Sequence, residues 1–212
     1  MKRFFDMDNP IMRTLSAAAD LLVLNLLTLL CSLPLFTLGP AMTALADGCM
    51  RIAEEETDTV AGDFFRAFRR GFRRSFPAGL ALLAAALLLY FDYLAALAAV
   101  PQMRYAVAAL SVLLLALAIY VFALLAREHA GFLSTIKKAA LLAVGFAPRT
   151  ALMLLVWLGL WTLAFLFLRA AAPVLLMFGL SLPGYVCAVL MRPIIQTETI
   201  GSTKDQYIHK EE

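Results

Sequence analysis

The chain has 212 residues, 63% of them hydrophobic and 16% charged, with a formal net charge of +3. Soluble domains are about half apolar and about a quarter charged, so charge this sparse cannot cover a water-facing surface, and a soluble globular enzyme is excluded. With 11 Gly, 9 Pro and 3 Cys, collagen-like and disulfide-stapled chains are excluded as well; what remains is an all-α polytopic membrane protein.

Asp8-Asn9-Pro10 reads as a helix cap followed by proline at the first helical position, where a missing N–H does no harm. Met1–Met7 would lie at the membrane interface. The first apolar run, Ala17–Phe36, carries Asp20 and Asn25. It is longer than a signal-peptide core and no small-x-small site follows, so an uncleaved segment is expected over about 10–36. Thr37-Leu38-Gly39-Pro40 reads as a turn and 40–54 as a short second segment, roughly 20–25 Å long at 1.5 Å per residue. Further segments are expected at about 77–100, 106–126, 150–168 and 172–191, each near the ~20 residues that cross ~30 Å of hydrocarbon. Residues 1–196 then form one helical membrane domain with about six segments, and 197–212 a polar tail.

Charge arithmetic fixes the expected threading. If the short segment returns the chain, one side holds 16 of the 18 Lys and Arg, leaving only Arg104 and Arg169 on the other; five crossings would give 13 and 5. The positive-inside rule favours the first, with both termini, 55–76 and 127–149 cytoplasmic and short outer turns near 37–39, 101–105 and 169–171.

Residues 61–76 form the most informative polar stretch. At 100° per residue, Phe64, Phe65, Phe68, Phe72 and Phe76 share a sector of about 120°, and Arg66, Arg69, Arg70, Arg73 and Arg74 fall in the opposite ~140°. This is a cytoplasmic amphipathic basic helix. One reading lays it in the headgroup layer against anionic lipid; another makes it a docking surface for a protein. Nothing else in the chain points to nucleic acid.

Ionisable groups within segments are functional candidates by default. Asp92, flanked by Tyr90 and Tyr93, either pairs with Arg104 or Arg169 or binds a proton or ligand. Asp47, beside Ala44 and Gly48, is either buried against a polar group such as Asn25 or reaches cytoplasmic water, with a functional role as the alternative. Asp20 is expected to reach the interface. Gly179-Leu180-Ser181-Leu182-Pro183-Gly184 interrupts the last segment, either as a repaired proline kink or as a transporter-like broken helix. His129 and His209 have no companions at metal-ligand spacing, and Cys31, Cys49 and Cys187 are isolated. Neither an enzyme nor a cofactor or metal site is expected.

Leu33-Pro34-Leu35-Phe36-Thr37-Leu38-Gly39-Pro40-Ala41-Met42-Thr43-Ala44-Leu45, followed by Phe64-Phe65-Arg66-Ala67-Phe68-Arg69-Arg70-Gly71-Phe72, resembles the YesL-like family of small bacterial membrane proteins. Asp47-Gly48-Cys49 departs from the more apolar stretch expected there. The resemblance implies a bacterial plasma-membrane protein of unknown molecular function, often associated with ATP-driven carbohydrate uptake, and it implies no catalytic or ligand residues. The expected function is an accessory or regulatory membrane component, its partners anionic lipid and permease subunits of a sugar transporter. The alternative is that the chain itself conducts or transports a small solute, as an oligomer. A permease subunit is disfavoured, because 127–149 lacks a Glu-Ala-Ala…Gly loop.

Overall fold

The computed structural model describes residues 10–54, 59–99, 103–127, 132–166 and 177–191, and all regular structure among them is helical. The helices are α1 (Pro10–Ser32), α2 (Leu38–Glu54), α3 (Val60–Ala99), α4 (Met103–Arg127), α5 (Phe132–Gly145), α6 (Ala147–Leu166) and α7 (Ser181–Met191). Residues 1–9, the tail 197–212, His129, His209 and Arg169 lie outside the described residues.

Each boundary has a local cause. Pro34 stops α1, and a 3₁₀ turn, Leu35–Thr37, carries the chain into α2. The Thr37 hydroxyl reaches the carbonyls of Cys31 at 2.6 Å and Pro34 at 2.7 Å, satisfying acceptors that the end of α1 leaves open. Pro40 is third in α2, still within the first turn where backbone N–H groups have no helical partner.

The chain folds around α2. Gly39, Pro40, Ala41, Thr43, Ala44, Leu45, Asp47, Gly48, Cys49, Met50, Ile52 and Ala53 are all buried, so both faces of the helix are covered. α1, α3 and α4 all pack on it. Between apolar helices in lipid, close packing replaces the hydrophobic effect as the source of attraction, and small residues permit it. A Cβ on Gly39 would lie 2.3 Å from the Ser75 carbonyl oxygen and 2.8 Å from Gly79 Cα; one on Gly79 would lie 2.4 Å from Gly39 Cα. Backbone therefore touches backbone where α2 begins. One helix face further along, Thr43 Cγ2 stands 3.7 Å from where a Gly71 Cβ would be, so α2 descends antiparallel along the first half of α3.

Two expectations change. Residues 61–76 and 77–100 are a single helix of 40 residues that runs through Pro77, about 60 Å long and twice the hydrocarbon thickness. More consequentially, Gly39 sits against Gly79, two residues into the apolar half of α3. The expected threading puts 37–39 outside and the start of that half inside, ~30 Å apart; a backbone contact puts them at one depth. That threading is corrected: α2 does not carry the chain back across a bilayer between those points.

The expected count of about six segments is not confirmed among the described residues. Thr14–Ser32, Val60–Ala95 and Met103–Arg127 have the length and apolarity of membrane spans, and the pair Ser134–Gly145 and Ala147–Thr162, bent by 96°, makes a fourth at most. α2 and the 11-residue α7 are too short to span. The connection expected over 127–149 is largely helical: α5 packs on α4 and meets α6 at Phe146. Thr150 fastens that elbow, its hydroxyl 3.0 Å from the Ala143 carbonyl, 3.1 Å from that of Phe146 and 2.9 Å from Tyr120 Oη on α4. Leu80, Leu87, Leu88, Phe91, Leu110, Leu113, Leu152, Leu155 and Leu166 are exposed, an apolar surface suited to lipid and too large for water.

Replacing Gly79 by valine should force α2 and α3 apart and lower stability by about 1–3 kcal/mol. Gly159→Ala on α6, where a new Cβ meets nothing within 4 Å, should leave the transition unchanged or raise it. Thermal unfolding in detergent measures both.

Candidate functional site

Asn25 belongs to the buried side of α1, with Leu21, Leu24 and Thr28, while Leu15, Val23, Leu26 and Leu30 face outward. Its side chain is fully buried, and its Oδ1 accepts the backbone N–H groups of Leu180 at 2.9 Å and Ser181 at 3.1 Å. Those are the first amides of α7, which no helical partner can serve. In an apolar layer an unserved amide is expensive, so a carboxamide from α1 does what a serine or aspartate cap does in water. The Cys49 thiol of α2 donates weakly to the Ser181 carbonyl at 3.6 Å, and Gly184 N bonds to the Leu180 carbonyl at 3.2 Å. The break at Gly179-Leu180 is thereby a polar knot joining α1, α2 and α7.

Asp47 is buried and pairs with Arg51 one turn on, Nε to Oδ2 at 2.8 Å. Of the expected alternatives, a carboxylate in open water is not what is seen: Asp47 is buried against a polar group, and that group is Arg51. A second pair, Glu54 with Arg127, ties the end of α2 to the end of α4. Sequence reasoning missed it because the two residues are 73 positions apart; the available hint was that each ends an apolar run.

Asp92 is exposed on α3 and makes no ion pair among the described residues. The expected pairing with Arg104 is absent: that guanidinium instead lies 4.8 Å from the centre of the Tyr105 ring and donates to its hydroxyl at 2.8 Å.

The amphipathic stretch keeps its two faces but not the expected exposure of both. Phe64, Phe68, Phe72 and Phe76 touch in sequence, centroids 6.2, 5.7 and 5.8 Å apart, the outer two contacts stacked and the middle one edge-on. Phe64 is fully buried, Phe68, Phe72 and Phe76 are half-buried and Phe65 is exposed. The aromatic stripe is turned largely toward the protein, because α2 packs along this half of α3. Arg66, Arg69, Arg70, Arg73 and Arg74 are exposed. Only Arg66 has a carboxylate near, Asp63 at 3.3 Å; the other four make no ion pair among the described residues. They form a solvated cationic stripe about 8 Å long from Arg69 to Arg74.

No group of three or more His, Cys, Asp or Glu that could hold a metal occurs among the described residues. What the arrangement offers is a cationic docking face and a set of internal polar junctions, in which the Ser75 and Ser181 hydroxyls and Arg127 Nε have no hydrogen-bond partner among the described residues.

A family model described as "Protein of unknown function, DUF624", a family known as YesL-like, matches residues 21–93. The matched stretch holds Asn25, the Gly39–Gly79 contact, the Asp47–Arg51 pair and the arginine stripe. No curated protein and no solved structure matches the chain.

Asn25→Leu keeps the side-chain volume but strands two amides, which costs about 1–3 kcal/mol. Hydrogen exchange at Leu180 and Ser181 should accelerate accordingly, whereas Leu26→Ala on the exposed side of α1 should leave it unchanged.

Proposed function

We propose that this chain is an accessory or regulatory component of the bacterial plasma membrane, acting by docking and neither by catalysis nor as a solute pathway. The observation that carries this reading is where its polar groups go. Asn25 serves α7, Asp47 takes Arg51 and Glu54 takes Arg127. A solute pathway needs polar groups left available to the solute, and the space between these helices is lined by apolar side chains. The largest group of exposed cations without an ion pair among the described residues is the stripe of Arg69, Arg70, Arg73 and Arg74, which suits an acidic partner surface.

In this reading the stripe faces the cytoplasm, as the positive-inside rule requires. α3 and α4 cross as a hairpin, α6 crosses beside them, and α1 and α2 stay on the arginine side with α1's outward leucines in the bilayer. The N-terminus then remains cytoplasmic. The YesL-like resemblance points to permease subunits of an ATP-driven carbohydrate importer as the docking partner.

Cross-linking in native membranes followed by purification tests the proposal. Permease subunits should co-purify with the wild type, and replacing Arg69, Arg70, Arg73 and Arg74 by glutamate should reduce their recovery at least tenfold without changing the level of the protein. Purified protein that by itself moves labelled oligosaccharide across liposomes would overturn the reading.

A further inference from the structure

A cavity of about 220 Å³ lies between α2, α4 and α7, with Trp157 of α6 also on its wall. Small residues make the room: Ala46 from α2, Ala118 from α4, Gly184 and Ala188 from α7. No charged side chain lines it. Its one hydroxyl, Ser32, already donates to the Leu29 carbonyl at 3.0 Å and asks nothing of an occupant. Apolar cavities of about 150 Å³ stay dry and take up apolar ligands, and this one is larger, partly open and set among helices whose outer surfaces suit hydrocarbon.

The charge around it shows which way an amphiphile would lie. Met50 and Ala123 line the cavity. One turn beyond each, on the same helix faces, stand Glu54 and Arg127, paired with each other. Arg127 Nε is buried and has no hydrogen-bond partner among the described residues. The Arg127 side chain is 30% exposed, so just beyond that end of the cavity stands a partly open cationic donor, partly offset by the Glu54 carboxylate, and the cavity itself is apolar. A phosphate or ester oxygen matches the donor, and an alkyl chain matches the walls.

We propose that this cavity is a binding site for one phospholipid of the surrounding bilayer, an acyl chain between α2, α4 and α7 and the headgroup at Arg127. The lipid is a structural ligand: it fills the space that small residues leave beside α2 and sets its headgroup against the exposed part of the Arg127 side chain. The inference stands apart from the docking role, since it concerns a different face and a different ligand.

The test uses the full chain in liposomes of phosphatidylcholine and phosphatidylglycerol containing a trace of phospholipid with a mid-chain diazirine. After illumination, adducts mapped by mass spectrometry should concentrate on Met42–Met50 and Leu115–Ala123 over the exposed face Leu87–Leu94. Ala118→Phe fills the space and should reduce those adducts at least fivefold, and Ala46→Phe should do the same from α2 should the first variant not fold. Leu88→Phe, on the exposed surface of α3, should not. Adducts spread evenly over all outward helix faces and indifferent to both fillings would overturn the site. Unchanged labelling in Arg127→Gln, with the same preference among headgroups, would overturn the assigned orientation.

Discussion

The backbone contact between Gly39 and Gly79 is the constraint on which the remaining geometry depends. Nothing larger than hydrogen fits at either position, since any Cβ would meet main-chain atoms that cannot rotate away. With α2 pressed against α3 there, the turn after α1 is fixed at the level where the apolar half of α3 begins. α1 follows, because it packs back along α2, with Leu24 against Gly48. Residues 10–54 and 59–79 thus form a packed layer at one end of the α3–α4 hairpin, and the hairpin continues beyond it with most of its described side chains exposed. Hydrocarbon contributes little to holding helices together, which is why so much of this layer is glycine, alanine and small polar residues.

The same solvent explains the polar groups. In a medium that offers no hydrogen bonds, a helix that starts inside the protein needs its first amides served from within. Asn25 does this for α7, and the requirement makes α1, α2 and α7 one unit although α7 lies 155 residues further along the chain. The ion pairs Asp47–Arg51 and Glu54–Arg127 sit in the second half of α2. Charge that is paired there leaves the stripe on α3 as the unpaired cationic feature among the described residues of this region.

Much of the secondary structure was legible in the sequence. Most apolar runs appear as helices, although of the expected 172–191 segment only Ser181–Met191 is described as one, and the two-faced pattern of 61–76 exists, because periodicity reports local geometry. Depth was not legible, for a definable reason. A crossing pair α1–α2 and a pair that stays on one side place the same basic residues on each side, since the turn at 33–38 carries none, so counting charge cannot separate them. The aromatic stripe was misread for a related reason: a wheel shows which residues share a face, not whether lipid or protein covers it, and here α2 covers Phe64. Asn25 was visible as a polar residue in an apolar run. Its partners were not, since they are backbone amides at the break near Gly179, and neither signal names the other.

The threading is tested most directly by whether Thr43 and Gly71 are neighbours. In a chain whose Cys31, Cys49 and Cys187 are replaced by alanine, Thr43→Cys and Gly71→Cys introduced together should join under mild oxidation or a short thiol cross-linker in native membranes. Loss of both free thiols within one chain is the predicted result. If the two cysteines instead stay unlinked, with position 43 labelled by an impermeant reagent from outside intact cells and position 71 protected, α2 does cross the bilayer and the layer built on Gly39 and Gly79 does not exist.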